Sequence, residues 1–174
     1  MLNLFLASLY FILPAYIGNM FPVVTGCARL PLGKPISEKY FGSHKTYRGF
    51  YSAFIGALLC LVMQYYFQKN GYFLEITILD YKSINLFLYA FLFGIGAMSG
   101  DLLKSFFKRK LGKEDGKCWF PFDQIDFILG TYLFLLPVYI IPIEMLGILV
   151  VITPVVHFST NAIGYVLGLK KVWW

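Results

Sequence analysis

Between residues 100 and 127 the chain reads GDLLKSFFKRKLGKEDGKCWFPFDQIDF, six Lys/Arg and five Asp/Glu in a protein of which only 14% is charged. On a helix, Asp101, Ser105 and Lys108 fall at i, i+4 and i+7, so one face presents a carboxylate, a hydroxyl and an ammonium in a row. Lys104 and Lys108 form a second i, i+4 pair on an adjoining stripe, with Arg109 beyond. Asp123 and Asp126 stand at i and i+3 in the first turn of a following helix, where like charges repel and require something positive between them. Ordinary structural roles cover each residue separately: an ion pair from Asp101 to Lys104 or Lys108, an N-cap at Asp123, a first-turn anion at Asp126. Taken together, carboxylates from two helices entering one interface are also what Mg²⁺ requires, since it binds through one or two carboxylates, waters and substrate phosphates. Both readings stand on the residues alone.

A second stretch, GSHKTYRGF (residues 42–50), offers parts suited to phosphate. Gly42 and Gly49 allow close backbone approach, Thr46 carries a hydroxyl, and His44, Lys45 and Arg48 are donors for phosphate oxygens. No G-x-x-x-x-G-K-[ST] loop occurs, and a basic patch ahead of a helix is the commoner meaning of such a stretch.

The elements that must position these groups are apolar. The chain has 174 residues, 59% of them hydrophobic, against roughly 45–50% for a soluble domain, so it reads as a membrane protein. Five apolar segments, near 2–26, 50–67, 84–103, 125–143 and 146–168, approach the roughly 20 residues a crossing helix needs. The expectation is therefore an all-α integral membrane protein, one domain over 1–174, with five transmembrane helices. The first segment lacks a basic flank and contains Pro14, Asn19 and Pro22, so it reads as a retained, kinked span and not as a signal peptide. Thirteen of the fifteen cations fall in residues 29–48, 104–117 and the tail, which the positive-inside rule makes cytoplasmic, with the amino terminus outside and the carboxyl terminus inside. The turn between the last two spans, around Pro142 to Gly147, implies an antiparallel hairpin.

The net charge of +6 fits this topology and contact with anionic lipid, and no nucleic-acid partner is needed to explain it. Cys27, Cys60 and Cys118 share no short spacing and suggest neither a zinc site nor a disulfide framework. His157 and Asn161, at i and i+4, read as interhelical hydrogen bonding, and FGIGAMSG (93–100) as close helix packing.

In order, LPAYIGNMFPV, GSHKTYRGF, GDLLKSFFKRKLG with PFDQIDFILG, and HFSTNAIGYVLGLKKVWW resemble the CDP-archaeol synthase family over nearly the whole chain. The third block is also similar to the signature of phosphatidate cytidylyltransferases, on Ser105, Lys108, Arg109, Asp115, Asp123 and Asp126; the glycine-histidine stretch of that signature is replaced here by CWFPF, which favours the archaeol-type branch. The resemblance implies an enzyme of the plasma membrane that takes CTP and a prenylated glycerol-phosphate ether lipid and gives a CDP-activated lipid and pyrophosphate, with Mg²⁺ required. On that basis Asp101, Asp123 and Asp126 are expected as metal ligands, His44, Lys45, Thr46, Arg48 and Ser105 as CTP-phosphate contacts, and Lys104, Lys108 and Arg109 as the catalytic cations. Lipid tail chemistry is open between prenyl and acyl chains, so a phosphatidate enzyme is the alternative within the class. A small anion carrier is the alternative outside it.

Overall fold

The computed structural model describes residues 2–114, 117 and 119–168, and these are helices and their connections, with a lone β-bridge between Pro35 and Thr46. In chain order the helices are α1 (Leu2–Cys27), a short α2 (Glu38–Phe41), α3 (Tyr47–Lys69), α4 (Leu86–Lys110), α5 (Phe122–Leu135) and α6 (Ile143–Val166), with one 3₁₀ turn at Leu74–Ile76. Asp115 and Cys118, and the terminal residues 169–174, lie outside the described residues.

Three of the long helices start or continue for an identifiable reason. The Thr46 hydroxyl accepts the Gly49 N–H at the start of α3, and Asn85 Oδ1 accepts the Leu88 N–H at 3.1 Å at the start of α4. α1 runs through both Pro14 and Pro22. Pro14 has no N–H to give the Tyr10 carbonyl one turn back, and Gln64 Nε2 of α3 donates to that carbonyl instead, at 2.6 Å. The helix thus tolerates its proline because a neighbour supplies the missing donor.

Four helices, α1, α3, α4 and α6, are long and apolar enough to cross a membrane. The fourth apolar segment, expected as a crossing helix over 125–143, is helical only in its first part: α5 has 14 residues and ends at Leu135. At 1.5 Å per residue it is about 21 Å long, short of the roughly 30 Å of a hydrocarbon core. Pro137 cannot donate to the turn before it, and the Leu135 carbonyl instead takes the N–H groups of Val138 (2.9 Å) and Tyr139 (2.8 Å), turning the chain. The expected hairpin turn moves accordingly. Residues 136–142 form the connection, and Gly147 lies inside α6.

Packing is densest between α4 and α5 and between α1, α3 and α4. Small residues make this possible. A methyl group on Gly100 would sit 2.1 Å from the Asp126 carbonyl oxygen, and one on Gly94 would sit 2.6 Å from that of Ala53. The core is aromatic at its centre, where Phe11 meets Phe93 edge-on at 5.5 Å, and Tyr16 reaches both Phe127 (5.3 Å between rings) and the Thr153 hydroxyl of α6 (2.7 Å). His157 and Asn161 hydrogen-bond each other along α6 at 3.2 Å.

Candidate functional site

The close approach of Gly100 to α5 brings three carboxylates to one ammonium. Lys104 Nζ stands 2.8 Å from Asp101 Oδ1, 3.1 Å from Asp123 Oδ1 and 2.7 Å from Asp126 Oδ2. It is the positive group that the i, i+3 pair in α5 demands, supplied from α4. Lys45, from the segment ahead of α3, pairs with Asp101 Oδ2, and Lys108 lies 3.2 Å from both Asp123 oxygens while donating also to the Lys117 carbonyl. Three lysines and three aspartates thus form one knot at the junction of α3, α4 and α5.

The local turn ahead of α5 fixes Asp123. Its carboxylate accepts the Trp119 N–H at 2.5 Å, while its own N–H bonds the Trp119 carbonyl at 3.0 Å, so the chain closes on itself at the helix start. Asp126 is buried, and its Oδ1 accepts the Phe127 N–H at 2.6 Å. Its buried Oδ2 has the Lys104 ammonium beside it at 2.7 Å and no hydrogen bond among the described residues.

Two cavities meet at this knot. One, of about 360 Å³, is polar and is bordered by Asn19, His44, Lys45, Thr46, Arg48 and Asp101. The other, of about 420 Å³, is apolar, and its only ionisable borders among the described residues are Lys104 and Asp126. Its walls include Leu103, Phe107, Phe122, Leu129 and Leu133, which are all exposed on the outer side of α4 and α5, so the cavity opens sideways.

The residues singled out in the sequence divide clearly. Asp101, Asp123, Asp126, Lys104, Lys108 and Lys45 come together; His44, Thr46 and Arg48 line the polar cavity beside them. Thr46 also caps α3, and Arg48 Nη1 donates to the Leu30 carbonyl at 2.8 Å. Ser105 is buried and donates to the Asp101 carbonyl at 2.8 Å on its own helix, so its hydroxyl faces neither cavity. Arg109 Nη2 turns to the Glu114 carbonyl at 3.0 Å and takes no part in the ion pairs of the knot among the described residues. Sequence reasoning missed the Trp119 N–H, the Lys117 carbonyl and Asn19 as components, because two are backbone groups and the third lies on α1 far from the charged block.

The donor set suits a hard divalent cation: carboxylate oxygens from two helices converge on a single cationic point, one of them buried and without a hydrogen bond. As the side chains stand, no three His, Cys, Asp or Glu among the described residues are grouped to hold a metal.

An all-helical membrane protein whose charged knot divides a polar cavity from an apolar one that opens sideways is built to bring a water-soluble anion and a lipid to the same atoms. The CarS-like family model, CDP-archaeol synthase, matches residues 1–174. The CDP-archaeol synthase of Methanococcus maripaludis strain C7 is 36% identical over 177 residues, covering 100% of this chain and 99% of that one. That of Methanospirillum hungatei is 34% identical over 93% of this chain and 99% of its own. A solved chain of an intramembrane enzyme for archaeal membrane lipids biosynthesis superposes with a TM-score of 0.70 over 88% of this chain and 92% of that one, at 24% identity, which speaks to the shared fold. The chain belongs to the CDP-archaeol synthase family and is a membrane cytidylyltransferase.

Proposed function

We propose that the cytidylyl transfer of this family runs, in this chain, at the junction of the two cavities, with CTP in the polar one and the phosphate of a prenylated glycerol ether lipid arriving through the apolar one. The observation that carries the reading is that Asp101 borders the first cavity, Asp126 borders the second, and both contact the same ammonium. A lipid-phosphate oxygen attacks the α-phosphorus of CTP, the bond to the bridging oxygen breaks, and pyrophosphate leaves with the electron pair. Both reactants are anions, so the work of the protein is positioning and charge compensation. Lys45, Arg48 and His44, at the polar cavity, hold the triphosphate; the planar fork of Arg48 suits two phosphate oxygens at once. Lys104 and Lys108 neutralise charge between the reactants. The lipid phosphate is already ionised near neutral pH, so no side chain need remove a proton. Asp101, Asp123 and Asp126 are the residues that would hold Mg²⁺, whose chemistry when bound is to neutralise and polarise the triphosphate.

The cation bias supports a knot at the cytoplasmic face of the plasma membrane. α5 followed by residues 136–142 makes a fifth crossing. Along that connection Ile141 is buried and the Tyr139 ring lies tilted at 5.3 Å from that of Phe11, whereas residues 136–138, 140 and 142 are exposed.

The test is pyrophosphate release by purified protein in detergent with CTP, Mg²⁺ and either the geranylgeranyl ether phosphate or phosphatidic acid. Release with the ether lipid is the expected result; release only with phosphatidic acid would move the substrate to the ester lipid, and release with neither would reject the site. In sealed vesicles, inverted membranes should use external CTP and right-side-out ones should not. The reverse pattern would invert the topology.

A further inference from the structure

A metal ion and the Lys104 ammonium compete for the centre of the knot. Lys104 Nζ, at 2.7 to 3.1 Å from oxygens of Asp101, Asp123 and Asp126, takes the one position from which a single cation reaches carboxylates of both helices. An ammonium and a divalent ion cannot share it. The same side chain has somewhere else to go, because it also borders the apolar cavity, where Asp126 is the only other ionisable neighbour among the described residues.

We propose that Lys104 is a tethered counter-ion. In the ligand-free protein its ammonium holds the three carboxylates together; an entering divalent ion displaces it into the apolar cavity, where it pairs with the lipid phosphate. This rests on the proposed function and adds a positioning role that couples metal entry to lipid capture. Charge counting supports the exchange. Asp101, Asp123 and Asp126 face Lys45, Lys104 and Lys108, so the knot is neutral as it stands. Once a divalent ion replaces the ammonium, the knot carries one net positive charge toward the triphosphate, and a second charge is freed toward the lipid. The four-carbon lysine stem makes the move a rotamer change and leaves α4 in place. Lys45 cannot serve in this way, since it borders only the polar cavity, and Lys108 is tied to both Asp123 and the Lys117 carbonyl.

The experiment uses Mn²⁺ alone as probe, on full-length protein in detergent, with free Mn²⁺ read by electron paramagnetic resonance. Lys104→Met should bind Mn²⁺ at least tenfold more tightly than wild type, because the internal competitor is gone, while its KM for the lipid phosphate rises about tenfold and its KM for CTP stays within twofold. In wild type, amine-reactive labelling followed by mass spectrometry should show Lys104 modified several-fold faster once Mn²⁺ is present, with Lys108 unchanged. Equal or weaker Mn²⁺ binding by Lys104→Met, an unmoved lipid KM, or Lys104 labelling indifferent to bound Mn²⁺ would overturn the exchange while leaving the metal site standing. Mn²⁺ that binds neither protein would overturn the metal reading and the exchange together. Should Lys104→Met fail to fold, the labelling of wild type decides alone.

Discussion

Pro14 removes the N–H that would have closed on the Tyr10 carbonyl, and Gln64 restores the bond from another helix at 2.6 Å. Gln64→Leu therefore strips a buried carbonyl of its donor in surroundings where water does not reach it, at a cost of about 1–3 kcal/mol. Thermal unfolding in detergent should show a lowered midpoint with little change in either KM; an unchanged midpoint would mean that the carbonyl finds another donor. Asp126 behaves in the opposite way. Asp126→Asn keeps the size and the Phe127 contact but removes the charge that faces Lys104, so the variant should fold and insert while losing about 10² to 10³ in CTP-dependent transfer, the usual effect of deleting one charge-stabilising group. Near-normal turnover would remove Asp126 from the machinery. These two residues also mark what single positions disclose. The i, i+3 aspartates announce that a cation must lie between them, but the choice of Lys104 over Lys108 or Arg109 depends on how α4 is rotated against α5, which spacing alone leaves open. Gln64 carries no local signal at all, since its partner lies 54 positions away.

At the scale of elements, the contact between α4 and α5 sets the distance between Asp101 and the α5 pair. A methyl group at Gly100 would fall 2.1 Å from the Asp126 carbonyl oxygen and 3.0 Å from the Gly130 Cα, both backbone atoms that cannot swing aside. Gly100→Ala must therefore part the two helices. Overpacking of this kind costs about 1–3 kcal/mol, and because it moves Asp126 away from Lys104 the variant should lose activity beyond its loss of stability. Gly147 in α6 has nothing within 4 Å of the same hypothetical methyl, so Gly147→Ala should leave transfer unchanged and raise stability by up to about 1 kcal/mol through helix propensity. Equal behaviour of the two variants in a paired assay of melting and turnover would show that the α4–α5 contact does not position the site. The run FGIGAMSG made this packing legible, as did the apolar lengths of α1, α3, α4 and α6. The end of α5 was less legible: the apolar run continues to Ile143, and only the main-chain bonding around Pro137 shows that the helix stops at Leu135.

For the whole molecule, the problem is that the two substrates live in different phases and must meet at one phosphorus atom. The fold answers with two cavities that share a charged wall, and the apolar one is bounded by side chains that also form the outer surface of α4 and α5, so a lipid can enter from the bilayer without crossing the knot. The sequence displayed both halves, a basic loop region and an oily bundle, but the separateness of the cavities depends on Lys104 and Asp126 turning one way and Lys45, Thr46 and Arg48 the other, a consequence of tertiary packing. Separate routes imply separable kinetics. Leu129 lines the apolar cavity from α5, is partly exposed at its opening, and enters none of the ion pairs of the charged knot. Leu129→Trp narrows the opening, and misfit of an apolar chain in such a pocket is worth about 1–3 kcal/mol, or 10- to 200-fold. The expected result is a KM for the lipid phosphate raised about tenfold or more in mixed micelles, with the KM for CTP and the binding of CTP alone unchanged. A parallel rise in both constants would mean that the two substrates do not enter by independent routes, and the lateral cavity would lose its role as the lipid door.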